Sequence, residues 1–365
     1  MRKNLSFDWI LVSAIVLLMS ISLLELYSIS FSGANNTQYV WRQMVFVGIG
    51  LVVMFFLASM DYRVIRPYHA RIVYFGTLTA LGLVLAIGTN VRGTVGWIVI
   101  GPVSLQIVEF AKIAMIVFLA SFIAAKQTVF GPGGRLLVSL MLIAIVIGLV
   151  LAQPDFGSAM ILLSLWFGML FVSGMRRLHI ILIVVVMMLM GVGTWFMLAD
   201  YQRDRVLAFV NPYNDPRGSG YNVIQAMIAT GSGGITGKGL GHGTQAQLGF
   251  LPEPHTDFIF AVIAEEFGFF GAIFVIGLMG VIIVRLWRIA LRARTNFSYL
   301  VVVGTMIMFF VQVLINVGMN IGIMPVTGIP LPFVSYGGSS LLASSIAIGL
   351  VLSIDRISSR MKDFT

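Results

Sequence analysis

Ten apolar stretches constrain this chain more than any other feature: residues 9–31, 41–60, 70–89, 107–125, 136–153, 157–174, 178–199, 258–284, 299–321 and 339–355. Crossing about 30 Å of hydrocarbon takes roughly 20 such residues, and a helix satisfies its own backbone at that depth. The expected fold is an all-α integral membrane protein with about ten transmembrane helices. Composition agrees, since 59% of residues are hydrophobic and 10% charged, whereas soluble domains carry about 25% charged residues. A soluble globule is excluded. The first stretch is longer than the core of a cleavable signal, about 7 to 15 residues, so it reads as a retained helix. Residues 1–365 then form a single polytopic membrane domain.

Lysine and arginine orient the bundle. With a cytoplasmic N-terminus, the inner segments hold 16 of the 23 basic residues and the short outer segments hold Arg42 and Arg92. That asymmetry is the positive-inside pattern. Both termini are expected in the cytoplasm, with one long outer loop between helices 7 and 8, about residues 200–257. The net charge of +9 is then accounted for by membrane lipids at the inner face, not by nucleic acid.

At the end of the outer loop, Leu251-Pro-Glu-Pro-His-Thr-Asp257 runs into an apolar helix. A carboxylate there stands out in a chain otherwise built to dissolve in lipid, and its bland reading is a helix N-cap, which Thr256 could equally supply. Earlier in the loop, Gly231-Ser-Gly-Gly-Ile-Thr-Gly-Lys238-Gly resembles a phosphate loop but fails its pattern: Ser232 stands where Gly is needed, and Gly239 where Ser or Thr is. Turns packed on the bundle are expected there.

Charges at membrane depth are costly and need compensation. Glu109 and Lys112 are spaced i, i+3 and can pair on one helix face; they either lock helix packing or present a cation to a phosphate or sugar. Asp155, in Gln153-Pro-Asp-Phe-Gly157, suits an N-cap after a Pro-terminated helix. At least one of Glu265 and Glu266 must turn inward, and Glu25 makes the same demand. Residues 322–340 carry three prolines and no charge. They cannot form a regular helix and are expected to wall an outer groove, with Ser335 and Tyr336 as candidate donors into it. Cysteine is absent, and the four histidines show no paired metal-ligand spacing. No metal is assigned from the sequence.

In combination, Gln153-Pro-Asp-Phe-Gly157, Asp200-Tyr-Gln-Arg-Asp-Arg205, Gly231-Ser-Gly-Gly234, the stretch Leu251 to Glu266, and Pro330-Leu-Pro-Phe-Val-Ser-Tyr-Gly-Gly-Ser339 resemble the SEDS proteins of bacterial shape, elongation, division and sporulation. The Asp200-Tyr-Gln-Arg203 motif and the short termini are most similar to the RodA branch. The chain departs from the family wording at Val95-Gly-Trp97, usually Arg-Arg-Trp, and at Gln106-Ile-Val-Glu109, usually Gln-Pro-Ser-Glu. Asp257 and its surroundings match. The resemblance implies a peptidoglycan glycosyltransferase that polymerises lipid II at the outer membrane face, with Asp257 as general base in an inverting displacement. Substrate contacts are expected from Glu109, Lys112, Asp155, Arg203, Arg205 and Ser335, with Lys112 and the two arginines facing the leaving pyrophosphate. The implied partner is a class B penicillin-binding protein, a transpeptidase. A lipid II flippase and a noncatalytic scaffold are the rivals; a flippase would spread charges through the membrane depth, and a scaffold would tolerate neutral replacement of Asp257.

Overall fold

The computed structural model describes residues 7–30, 37–65, 67–91, 93–101, 103–125, 132–174, 211–215 and 220–360, together with 181, 185, 209 and 218. The chain opens with α1 (Trp9–Ser30), α2 (Gln38–Ser59) and α3 (Pro67–Ile87), followed by strands β1 (Thr89–Val91), β2 (Thr94–Ile100) and β3 (Val103–Gln106). Helices α4 (Ile107–Ala124), α5 (Pro132–Ala152) and α6 (Phe156–Val172) come next. After them come α7 (Tyr221–Ser232), the one-turn α8 (Thr244–Gln247), α9 (Ile259–Arg292), α10 (Asn296–Asn320) and α11 (Gly338–Arg360).

Among the described residues, α1, α2, α3, α4, α9, α10 and α11 are long and apolar enough to cross a membrane. Shorter apolar helices, Leu136–Ala152 and Phe156–Val172, lie within α5 and α6. Nine expected stretches thus coincide with helices whose ends shift by up to five residues, apart from α9, which runs eight residues past its expected end to Arg292. The stretch at 178–199, apart from residues 181 and 185, lies outside the described residues.

To this helical fold the structure adds a small antiparallel sheet in the order β1-β2-β3. Strand β2, Thr94-Val-Gly-Trp-Ile-Val-Ile100, is rich in β-branched residues, which suit a pleated strand. Gly93 (φ 83°) and Gly101 (φ 59°) supply the left-handed backbone of the two hairpin turns. Val95 N donates to Gln153 O at 3.3 Å, so the sheet covers the α5–α6 turn.

Small residues set the helix contacts, as lipid-embedded packing requires. A methyl group on Gly50 of α2 would stand 2.6 Å from Leu341 Cδ2 and 2.8 Å from Ser345 Oγ on α11. Gly304 of α10 abuts Ile116 of α4 and Met169 of α6. One large core joins these helices. A second, smaller cluster of Ala226, Ala229, Ala246, Leu251, Phe258, Ala261 and Val262 packs α7 and α8 on the start of α9.

Helix α9 breaks at Gly268, whose φ of 67° and ψ of −160° are non-helical. The glycine-rich loop enters this break and satisfies its backbone: Phe269 N donates to Gly234 O at 2.9 Å, Lys238 N to Glu265 O at 3.0 Å and Gly239 N to Glu266 O at 2.9 Å. The loop is therefore packed against the bundle as turns.

Candidate active site

Asp257 occupies the turn before α9 and is half-buried. The N-cap position of α9 is Phe258, whose side chain makes no capping hydrogen bond. Three consecutive carbonyls around it are held from other elements. His255 O accepts from Tyr336 N at 2.9 Å, and Thr256 O accepts from Ser335 Oγ at 2.7 Å. Asp257 O accepts from both Asn316 Nδ2 and Asn320 Nδ2, each at 3.1 Å.

A second tier supports those donors. Ser335 Oγ also accepts from Leu331 N at 2.8 Å. Gln43 of α2 donates to Ser335 O at 3.4 Å and accepts from Gly337 N at 3.3 Å. The ring of His255 stacks on Tyr39, with centroids 4.5 Å apart, and meets Tyr336 edge-on at 5.6 Å. His255 Nε2 lies 3.5 Å from Glu253 Oε2. Each interaction is modest alone, about 0.5 to 1.5 kcal/mol for a neutral hydrogen bond, but together they leave the 253–257 backbone little freedom.

The irregular segment between α10 and α11 links this turn to the rest of the site. Gly328 (φ 72°) faces Asp257: a methyl group there would stand 3.6 Å from Asp257 Oδ2. On the far side of the same segment, a methyl group on Gly157 would lie 2.9 Å from Thr327 O and 2.8 Å from Ile329 Cγ1. Gly157 opens α6, whose N-cap is Asp155. Asp155 Oδ1 accepts from Ser158 N at 2.9 Å, and Oδ2 accepts from Gln106 Nε2 at 3.3 Å. Gln106 in turn precedes α4, where Lys112 Nζ lies 2.6 Å from Glu109 Oε1 with side chains 1% and 4% exposed.

The structure thus brings Asp257, Ser335, Asp155 and the Glu109–Lys112 pair into one end of the bundle. Ser335 reaches it with its hydroxyl turned onto the chain itself. Arg203 and Arg205 lie outside the described residues.

Both Glu265 and Glu266 turn inward. Glu265 Oε1 lies 2.7 Å from Lys238 Nζ and accepts from Thr244 Oγ1 and Gln245 N. Glu266 accepts from Ser28 Oγ at 2.6 Å. Among the described residues no group of three or more His, Asp or Glu side chains is disposed to hold a metal ion.

Asn316, Asn320 and Gln43 were not among the expected site residues. Their signal was available: two amides at i, i+4 in the apolar stretch 299–321, and one in the second stretch, are polar groups at membrane depth that need partners.

The whole chain has known relatives. A family model described as cell cycle protein, FtsW/RodA/SpoVE, matches residues 2–360. Stage V sporulation protein E of Bacillus subtilis (strain 168) is 38% identical over 365 residues, covering 98% of this chain and 99% of that protein. Peptidoglycan glycosyltransferase MrdB of Escherichia coli (strain K12) is 41% identical over 315 residues, covering 86% and 84%. Among solved structures, one described as structural coordination of polymerization and crosslinking by a peptidoglycan synthase complex superposes with a TM-score of 0.82 at 34% identity, covering 97% of this chain and 98% of that one. The rod shape determining protein RodA of Thermus thermophilus gives a TM-score of 0.72 at 29% identity, covering 97% and 98%.

Proposed function

This chain belongs to the FtsW/RodA/SpoVE family of cell cycle proteins, and from that premise we propose that it polymerises lipid II into glycan strands during cell elongation, with Asp257 as general base. It is a multi-pass protein of the bacterial cytoplasmic membrane, and its relatives include one named peptidoglycan glycosyltransferase MrdB. The chemistry faces outward if both termini lie in the cytoplasm, as the basic residues indicate.

The acceptor is the 4-hydroxyl of a lipid II sugar, and the donor is a growing glycan on undecaprenyl pyrophosphate. Asp257 takes the hydroxyl proton while that oxygen attacks the anomeric carbon from the face opposite the pyrophosphate. The carbon–pyrophosphate oxygen bond breaks with inversion, and the leaving group carries away the electron pair. A positioned base typically contributes 10²–10⁴-fold to such a step. The observation that carries this reading is the triple anchoring of the 255–257 carbonyls, which presents a half-buried carboxylate from a fixed backbone.

Negative charge on the leaving pyrophosphate calls for cations. Lys112, Arg203 and Arg205 are assigned that role, with Glu109 orienting Lys112 and Asp155 lining the same end. Because Lys112 is 1% exposed, its assignment requires the α4 face to open as substrate enters. Ser335 contributes by holding Thr256 O. A divalent cation at the pyrophosphate is compatible with this scheme. The partner we infer is a class B penicillin-binding protein, in keeping with the synthase complex that this fold resembles.

The test places the full-length protein with its transpeptidase partner in liposomes carrying fluorescent lipid II. Glycan polymer is the expected product. Movement of lipid II between leaflets without polymer favours the flippase, and neither product favours the scaffold.

A further inference from the structure

We propose that Asn316 and Asn320 are positioning residues that set the aim of the Asp257 carboxylate by fixing its backbone from α10, an inference that rests on Asp257 acting as the base. Both side chains are fully enclosed, at 0% exposure. They lie four residues apart and so share one face of α10. Their amide nitrogens converge on a single acceptor, Asp257 O, each at 3.1 Å.

The convergence exceeds what helix termination demands. The start of α9 is served at Ala261, whose N–H donates to Asn320 Oδ1 at 3.1 Å. One donor would satisfy the carbonyl of Asp257. The second amide is spent there although Asn316 Nδ2 also donates to Ile329 O at 2.8 Å. Meanwhile Asn316 Oδ1 is buried with no hydrogen-bond partner among the described residues. Buried polar groups are normally satisfied, and an exception calls for a reason. Here the amide is oriented by its two acceptors, and its oxygen is left over.

Those two acceptors define what the pair controls. Asp257 O fixes the base, and Ile329 O fixes the strip of chain carrying Gly328, which faces Asp257 Oδ2. Asn320 Nδ2 also donates to Asn316 O at 2.8 Å, tying the second amide to the same turn of α10. The pair therefore sets the distance between the base and the wall opposite it. A misplacement of about 1 Å can cost on the order of a hundredfold in rate.

The test compares wild type with Asn316→Leu and Asn320→Leu, which keep the branched shape at a larger volume but remove the donors, and with the smaller Asn316→Ala and Asn320→Ala. Each is the full-length protein copurified with its transpeptidase. Initial rates of glycan formation from lipid II are normalised to the folded, partner-bound fraction and taken across lipid II concentration and pH, with Asp257→Asn in parallel. The expected result is kcat reduced roughly ten- to a hundredfold with KM within about twofold. Wild-type kcat per folded molecule in the variants, with Asp257→Asn inactive, overturns the positioning role alone. A rate loss that appears only in KM, or only as lost folded protein, does the same. An active Asp257→Asn overturns the base assignment and this inference together.

Discussion

Lys238 Nζ lies 2.7 Å from Glu265 Oε1, and this contact fastens the glycine-rich loop to α9 three residues before the helix breaks at Gly268. Breaking a fully buried pair typically costs about 3 to 5 kcal/mol. Lys238 keeps some contact with solvent, so Lys238→Met is expected to destabilise by about 2 kcal/mol, read as a lower melting temperature in detergent. Lys238→Met with Glu265→Gln should recover part of that loss, because no buried charge is then left alone. An additive double mutant contradicts the coupling.

Gly268 has φ 67°, and a side chain there would collide with Gly237 N. Gly268→Ala is expected to cost about 1 to 3 kcal/mol from backbone strain alone, with further loss from displacing the loop. A melting temperature equal to wild type contradicts the observed geometry.

The Glu109–Lys112 pair gives a sharper cycle because both partners are buried. Glu109→Gln or Lys112→Met alone should destabilise by about 3 to 5 kcal/mol, whereas the pair of changes together should be far milder. Thermal unfolding of the four proteins measures the coupling energy directly.

Glu25 predicts the opposite sign. It is 0% exposed in α1, and neither carboxylate oxygen has a hydrogen-bond partner among the described residues. Glu25→Gln keeps the shape and removes an ionisable group from a region that already holds Glu265 and Glu266. Stability should be unchanged or higher, by up to about 1 kcal/mol. A large destabilisation would mean that the Glu25 carboxylate serves an interaction that an amide cannot replace.

Much of the helical frame was legible because spanning a membrane writes long apolar stretches into sequence. Asp257 stood out for the same reason, as a carboxylate where a polar loop meets such a stretch. The β-sheet was legible in principle, since Thr94 to Ile100 is rich in β-branched residues between Gly93 and Gly101. Composition hid it, because apolar strand and apolar helix look alike over so few residues. The break at Gly268 had no local signal at all. Glu266-Phe-Gly-Phe-Phe270 reads as continuous helix, and only the glycine loop, about thirty residues upstream, supplies partners for a bent backbone. The carbonyl clamp on 255–257 was likewise unreadable, because its donors come from α10 and from the segment before α11. That Asn316 and Asn320 needed partners was visible; which partner was a matter of tertiary geometry.

The decisive measurement is the rate of glycan-chain formation from purified lipid II by wild type and Asp257→Asn, both folded and bound to the transpeptidase. Loss of the base is predicted to lower kcat by about 10²–10⁴-fold while partner binding and melting temperature stay near wild type. Equal polymer from the two proteins would remove Asp257 from the chemistry.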